Sequence, residues 1–557
     1  MSLIHNGEIV SPDKNILLEK WKLESVEGTV KADKPPFCIF NNVVLALQML
    51  NRHIILNSKM ALHTDVDVDG IGTTYILKKV LTNLGSNNHL CIINKDKVHG
   101  IQQKHVEYFN TKNKIDLLIV TDSSSNEIDL IKQFNCDVLV IDHHDLLHND
   151  LSGTCNDGIH HYVIVNNTIK NNNNESDKLW LRAKDPVTFK ELPDWLGDSD
   201  MSCGLVIYEL LRLYCVCFAN PKLLENLLLF QWVGVTLITD VINTLNNRNQ
   251  WYMDKTVFNM EMEPTLRIMM QNITSFKASL DKSYIGYTFA PLINKAIRAG
   301  QSSKALDIVI NHPQDVNQLK EYAPMQAEAV DRALLVRIKD PVTGIESVGH
   351  RTFNSGSAIM DISSLGINGN YAGVIASRIS GDFNCNAAVY TVLDNGLCKG
   401  SFRGRRNDVD YRKYFANFSD DIYAQGHPPA FGFELTYNQL KTIMDNIVSI
   451  EPTENKKPWL TIGNMLPSEY GEYHIDSLDD FKRQAYIWRI ATGNSKVVTN
   501  DEINIRVKVN DVKFKENKGK LMIYDVLGME CKSFKPLEGE FFNIYMEYTN
   551  EIVMYIK

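Results

Sequence analysis

Between residues 58 and 145, four short apolar runs each stop at an acidic or polar residue, and amphipathic segments separate them. No other feature of the chain restricts its fold as much. The runs 60–63, 89–94, 116–121 and 137–142 have the length of strands, and the segments 71–84, 102–110 and 127–134 carry helical spacing. Strand and helix in alternation predict an α/β fold built on a parallel sheet flanked by helices. Sheets of this kind collect ligands at the carboxyl ends of their strands.

Those ends are where the charged residues fall. His63, Asp65, Asp67 and Asp69 alternate with small or apolar residues just past the first run, and Gly70 then turns the chain into a helix. Asp122 follows Leu117-Leu118-Ile119-Val120-Thr121, and Asp142-His143-His144 closes Val138-Leu139-Val140-Ile141. Three carboxylates within five residues repel one another unless a positive charge sits among them. Oxygen ligands with a nearby imidazole suit a divalent cation of the magnesium or manganese type. An acidic surface loop would account for the first cluster alone; acids and imidazoles at three strand ends on one rim favour metal. The pair His160-His161 is given no role. Asp240 ends the apolar stretch 223–239, where either a helix-end cap or a further ligand fits.

The other 400-odd residues need several cores, since 557 residues exceed what one supports. A net charge of −9 excludes a generally basic surface but leaves room for a local basic groove. No apolar run reaches membrane-spanning length, no signal-peptide pattern opens the chain, and the ten cysteines form no Cys-x-x-Cys pair. A cytoplasmic protein with reduced thiols and no membrane association is expected. The Asn-rich stretch 166–176 reads as an exposed insertion. Helices are expected over 203–214 and 223–239, and a largely helical segment over 246–336. Pro452, Lys456, Lys457 and Pro458 mark a linker, and the alternating runs 503–509 and 541–546 read as strands of a small β domain.

Taken together, His63-Thr-Asp-Val-Asp-Val-Asp-Gly70, Asp122, Asp142-His-His144 and Asp240 resemble the four motifs of the DHH phosphoesterase superfamily, with spacing most similar to RecJ-type single-strand exonucleases. Ala290-Pro-Leu-Ile-Asn-Lys-Ala-Ile-Arg298 resembles the RecJ stretch bearing a substrate-binding arginine. Asn370 to Arg378, Lys399-Gly-Ser-Phe-Arg403 and Gln425-Gly-His427 resemble the associated DHHA1 domain. Three positions depart from the family pattern: Gln425 replaces the first glycine of a Gly-Gly-His, Ile297 a glycine, and Gly404 a serine.

The resemblance implies an N-terminal extension (1–57), a DHH metal-binding domain (58–245), a helical connector (246–336), a DHHA1 substrate-binding domain (337–450) and a C-terminal, OB-like β domain (451–557). It implies two ions, Mn²⁺ or Mg²⁺, with Asp122 shared, Asp67 and His63 on one, and Asp69, His143 and Asp240 on the other. His144 would either support the ligands or face the substrate rather than bind metal, and Asp65 and Asp142 would orient the ligands. Arg298, Arg403, Gly426 and His427 would hold the strand, with Lys399, Arg405 and Arg406 forming a basic patch around Arg403. Two divalent ions roughly 3.5–4 Å apart activate water and relieve charge on a phosphate. The expected activity is exonucleolytic release of mononucleotides from single-stranded DNA, 5′ to 3′. The alternatives are a phosphodiesterase for short oligoribonucleotides or cyclic dinucleotides, and a non-catalytic scaffold for a replication or repair protein. A protein partner could use the C-terminal domain.

Overall fold

The computed structural model describes residues 35–451 apart from 191–200 and several shorter stretches, together with strands in the first ten residues, at 460–462 and between 505 and 556. The expected parallel sheet has six strands in the order His89–Ile93, Met60–Thr64, Leu117–Thr121, Asp137–Asp142, His161–Asn166, Ser152–Thr154. All neighbours run parallel except the last pair. Leu117–Thr121 and Asp137–Asp142 are buried along their whole length, which is why they read as unbroken apolar runs.

One face of this sheet packs on the helices Val43–Ile55, Val68–Asn83, Cys203–Phe218 and Phe230–Thr239, around Trp232, Tyr75 and Leu47. The other carries a smaller core around Phe109, Phe134 and Val140. Cys203–Phe218 is tied down by the wholly buried Glu209, which accepts from Arg212 (2.8 Å), Arg248 (3.1 Å) and the Tyr252 hydroxyl (2.7 Å). A buried carboxylate with three such donors is satisfied, whereas losing Glu209 itself would leave two largely buried guanidinium groups without their counter-charge.

The segment 247–335 is largely helical, as expected. It leads to a second six-stranded sheet, ordered Arg351–Phe353, Ser357–Asp361, Asn386–Val392, Cys398–Arg403, Ala430–Leu435, Tyr423–His427. Tyr423–His427 is an edge strand. A third six-stranded sheet occupies 505–556, matching the predicted β character there; the 452–458 linker lies outside the described residues.

Two expectations are corrected. The stretch 223–239 is two helices, Leu223–Asn226 and Phe230–Thr239, because Leu228 adopts φ 56° between them and turns Leu229 and Phe230 into the core. Nor is the start of the Asn-rich stretch exposed: Asn166 and Asn167 are fully buried. The Asn166 side chain donates to the His144 carbonyl (2.8 Å) and accepts from the Thr168 amide (2.8 Å), satisfying backbone groups at the sheet's end. Beyond it, 174–184 is helical, and 170–173 lie outside the described residues.

Candidate active site

Met60–Thr64 sits between His89–Ile93 and Leu117–Thr121, so the chain order reverses across it. Crevices at such reversals are where open α/β sheets hold ligands. Thr64 pairs with Thr121, and Thr121 with Ile141, so Asp65, Asp122 and Asp142 leave three adjacent strands at one level. Asp122 (φ 66°) and Ser124 (φ 71°) both lie in the left-handed region. For residues with a Cβ this costs on the order of 1–3 kcal/mol, and such strain gathers at functional sites. At Gly70 a Cβ would lie 2.8 Å from the backbone N and O of Asp65, so only glycine lets the helix Val68–Asn83 start against the strand end.

Three groups of side chains each place their ligand atoms within 4.8 Å of one another: Asp65, Asp67 and Asp122; Asp69, His143 and Asp240; and Asp122, His143 and His144. Asp122 and His143 each belong to two groups. His143 Nδ1 lies 2.8 Å from the Met201 carbonyl, which can only accept, so Nδ1 carries the ring proton. Burial lowers the ring's pKa, which favours its neutral form. Its Nε2 therefore presents a bare lone pair 3.2 Å from Asp122 Oδ1, 3.5 Å from Asp240 Oδ2 and 4.0 Å from Asp69 Oδ2. Acceptors facing acceptors are repulsive unless a cation lies between them. Asp122 Oδ1 and Asp240 Oδ2 are buried with no hydrogen-bond partner, as ligands awaiting an ion should be.

The carboxylates bear this out electrostatically. Burial and then the charge of Asp69 push Asp122 well above the usual range. Burial and Asp240 do the same to Asp69, and burial and Asp65 raise Asp67. Asp240 is lowered: burial opposes its charge, but His143 and His427 outweigh it. Asp69 is also held from outside the sheet, accepting from the amides of Cys203 (2.9 Å) and Gly204 (3.0 Å) at the start of a helix. Asp67 caps its own helix through the Gly70 amide (3.0 Å).

His63 belongs to none of the three groups. Its ring lies edge-on to His105 with centroids 5.0 Å apart, both nitrogens buried without a hydrogen-bond partner, and burial lowers its pKa to about 3.

Asp142 is saturated by donors: Ser125 Oγ (2.6 Å), the amides of Ser125 (3.2 Å) and His143 (2.8 Å), and His144 Nδ1 (2.7 Å). Burial would discharge His144, but Asp142 outweighs it and raises the imidazole to about 10. Asp65 differs from expectation. It shares a group with Asp67 and Asp122, and it also accepts from His99 Nδ1 (2.5 Å) and the Gly100 amide (3.2 Å).

Lys97 and His99 were not picked out from the sequence. They lie in a polar loop with no periodicity; the available signal is that this loop follows the strand His89–Ile93, at the same end of the sheet. Asn94 cinches the loop by donating to Val98 O (2.8 Å) and Gly100 O (2.7 Å). Burial, then Arg298 and Arg403, lower Lys97 to about 8. Burial and Arg298 lower Arg403 to about 10. Three cations thus crowd together beside Asp65 and Asp67. Arg298 meets Gln326 (2.9 Å), and Arg403 meets Ser377 Oγ (3.1 Å) and the Phe402 carbonyl (2.7 Å).

The basic patch around Arg403 is partly neutralised: Arg405 is bound to Glu451, and Lys399 lies 3.8 Å from Glu434. Phe402, Tyr411, Phe415, Phe431 and Phe433 pack into one core. The edge strand Tyr423–His427 faces the acidic rim. His427 Nε2 lies 3.2 Å from Asp240 Oδ1, and Gly426 has φ 132°. Arg412 braces this corner, donating to the Gly426 carbonyl (3.0 Å) and pairing with Asp145 (2.7 Å), just past His144.

Residues 59–164 match the model of the DHH family, N-terminal domain. The chain is 23% identical over 275 residues to a protein of Bacillus subtilis (strain 168) provisionally named an SPbeta prophage-derived single-strand DNA-specific exonuclease. That match spans 47% of this chain and 40% of the relative. The fold resembles RecJ from Thermus thermophilus. Against its complex with Mn²⁺ the TM-score is 0.64 at 15% identity, covering 98% of this chain and 75% of that one. Against its complex with Mg²⁺ the TM-score is 0.59 at 14% identity, covering 98% of this chain and 74% of that one. No helix among the described residues is long and apolar enough to cross a membrane.

Proposed function

We propose that this chain, whose residues 59–164 form a DHH-family N-terminal domain within a RecJ-type fold, is a metal-dependent phosphodiesterase that removes mononucleotides from single-stranded DNA, 5′ to 3′. The observation that carries the reading is the bare Nε2 of His143 among unpartnered carboxylate oxygens. The relative's provisional name supports single-stranded DNA as the polymer.

The donor set suits two Mn²⁺ or Mg²⁺ ions, carboxylates suiting either and imidazole favouring manganese. Asp69, His143 and Asp240 would hold one ion, Asp65 and Asp67 the other, with Asp122 shared. Bound divalent cations supply acidity to water and charge relief to a phosphate. The protein's own groups do the rest. Asp142 keeps His144 protonated, so its free N–H can donate to a phosphate oxygen at the rim. Lys97, Arg298 and Arg403 supply cations that draw a phosphate in, and either arginine can grip it with two N–H groups. His427 joins the second sheet to the rim through Asp240, and Gly426 before it, at φ 132°, lets the edge strand pack against Phe431 at this corner, where the nucleic-acid strand would be held.

With Mn²⁺, the protein should shorten a 5′-phosphorylated single strand of ~20 nucleotides while sparing the duplex, and chelation or Asp122→Ala should abolish this. Rapid cutting of a dinucleotide with the longer strand untouched would overturn the exonuclease reading. DNA and RNA strands run side by side test the choice of sugar.

A further inference from the structure

Along the edge strand Tyr423–His427, residues 423, 425 and 427 share the strand's alternate positions. The last of them reaches the acidic rim at Asp240. Tyr423 is 49% exposed, unlike the buried rings of the adjacent core. Its hydroxyl donates to the side-chain carbonyl of Gln425, one of the positions where this chain departs from the family it resembles. A glycine at 425 could not hold the ring. Tyr423 also lies close enough to the rim to feel it: burial, then the charges of Glu127, Asp65 and Glu434, push its hydroxyl up to about 12. A flat, half-open ring is thus fixed by its own strand and stands near the carboxylates on which the reading above rests.

We infer that Tyr423 is a stacking platform for a nucleobase of the strand lying over the acidic rim, and that Gln425 is the residue that positions it. The proposal deepens the single-strand reading and rests on it. Stacking explains the geometry better than phosphate binding, because a neutral phenol whose proton is committed to Gln425 has little to offer a phosphate. It is also tolerant of sequence, since every base has a π-face.

The test is binding of a ~12-nucleotide fluorescent oligodeoxynucleotide to the full chain without divalent metal, followed by Mn²⁺-dependent cleavage of the same strand. Tyr423→Ala should weaken binding at least ~5-fold, the low end of measured base–aromatic stacking, whereas Tyr423→Phe should stay within ~2-fold of the parent. Gln425→Gly breaks the same hydrogen bond as Tyr423→Phe and leaves the ring in place, so it should match Tyr423→Phe. On strands carrying an abasic spacer, scanned one position at a time, one spacer position should remove the difference between parent and Tyr423→Ala. If the parent binds and cleaves but Tyr423→Ala matches it on every strand, the platform is refuted and the nuclease reading stands. If Tyr423→Phe is as weak as Tyr423→Ala, the hydroxyl rather than the ring is responsible, and the proposal fails. If the parent neither binds nor cleaves a single strand, both readings fall together.

Discussion

Replacing Asp122 by asparagine should make the metal-free protein more stable and the metal-loaded protein comparatively less so. The ligand atoms of Asp65, Asp67 and Asp122 lie within 4.8 Å of one another. At that separation an ionised pair repels by ~3.5 kcal/mol at an effective dielectric constant of about 20. Proton uptake by the cluster limits what is realised, so the expected gain from Asp122→Asn is ~1–3 kcal/mol, or ~2–4 °C in Tm for each kcal/mol. The new amide can also donate to the bare Nε2 of His143. The pH dependence has a definite sign. Asp122 is raised in the folded state, so its contribution to stability is present below the unfolded value near 3.9 and is lost as pH rises through the folded value. The advantage of the variant should therefore grow as pH increases above the unfolded value near 3.9. Mn²⁺ at ~100 times its Kd should stabilise the parent by ~2.7 kcal/mol and the variant by much less, offsetting most or all of the variant's advantage. Thermal unfolding followed by circular dichroism, in chelator and in Mn²⁺ across a pH series, reads all of this. A variant less stable than the parent in chelator at pH 8, or an equal response of both to Mn²⁺, would refute the claim that the cluster is built around cations.

Three further outcomes follow from the same geometry. Arg403→Ala and Lys97→Ala should each weaken single-strand binding and reduce the slope of log K against log salt by ~0.7, measured by anisotropy over a salt series. Phe402→Ala should cost ~3–5 kcal/mol by denaturant unfolding, because the ring is wholly enclosed by Tyr411, Phe415 and Phe431. Arg412→Ala breaks a part-exposed pair with Asp145 and should cost less than ~1 kcal/mol of stability. It should nonetheless raise KM in the cleavage assay, because it loosens the corner that carries His427.

The sheet was legible because its central strands are buried on both faces and so read as unbroken apolar runs ending in Asp122 and Asp142. Asp69 and Asp240 were legible by position, following the first strand and ending a helix. What escaped was held by contacts with no sequence period. Lys97 and His99 sit in a loop shaped by one asparagine side chain. Burial of Asn166 depends on carbonyls and amides exposed at a sheet end, which composition does not record. The charge run at 399–406 looked like one basic surface, yet Arg405 belongs to Glu451, 46 residues away. The break at Leu228 carries neither glycine nor proline to announce it.

Asp69 has a consequence for how the molecule comes into being. Its carboxylate is clamped by amides 134 and 135 residues further along the chain. During synthesis the strands bearing the first acids emerge long before that clamp exists, so a nascent chain halted near residue 164 has the frame of the centre without its finished shape. The acidic rim therefore stays unfinished until the later helices have docked.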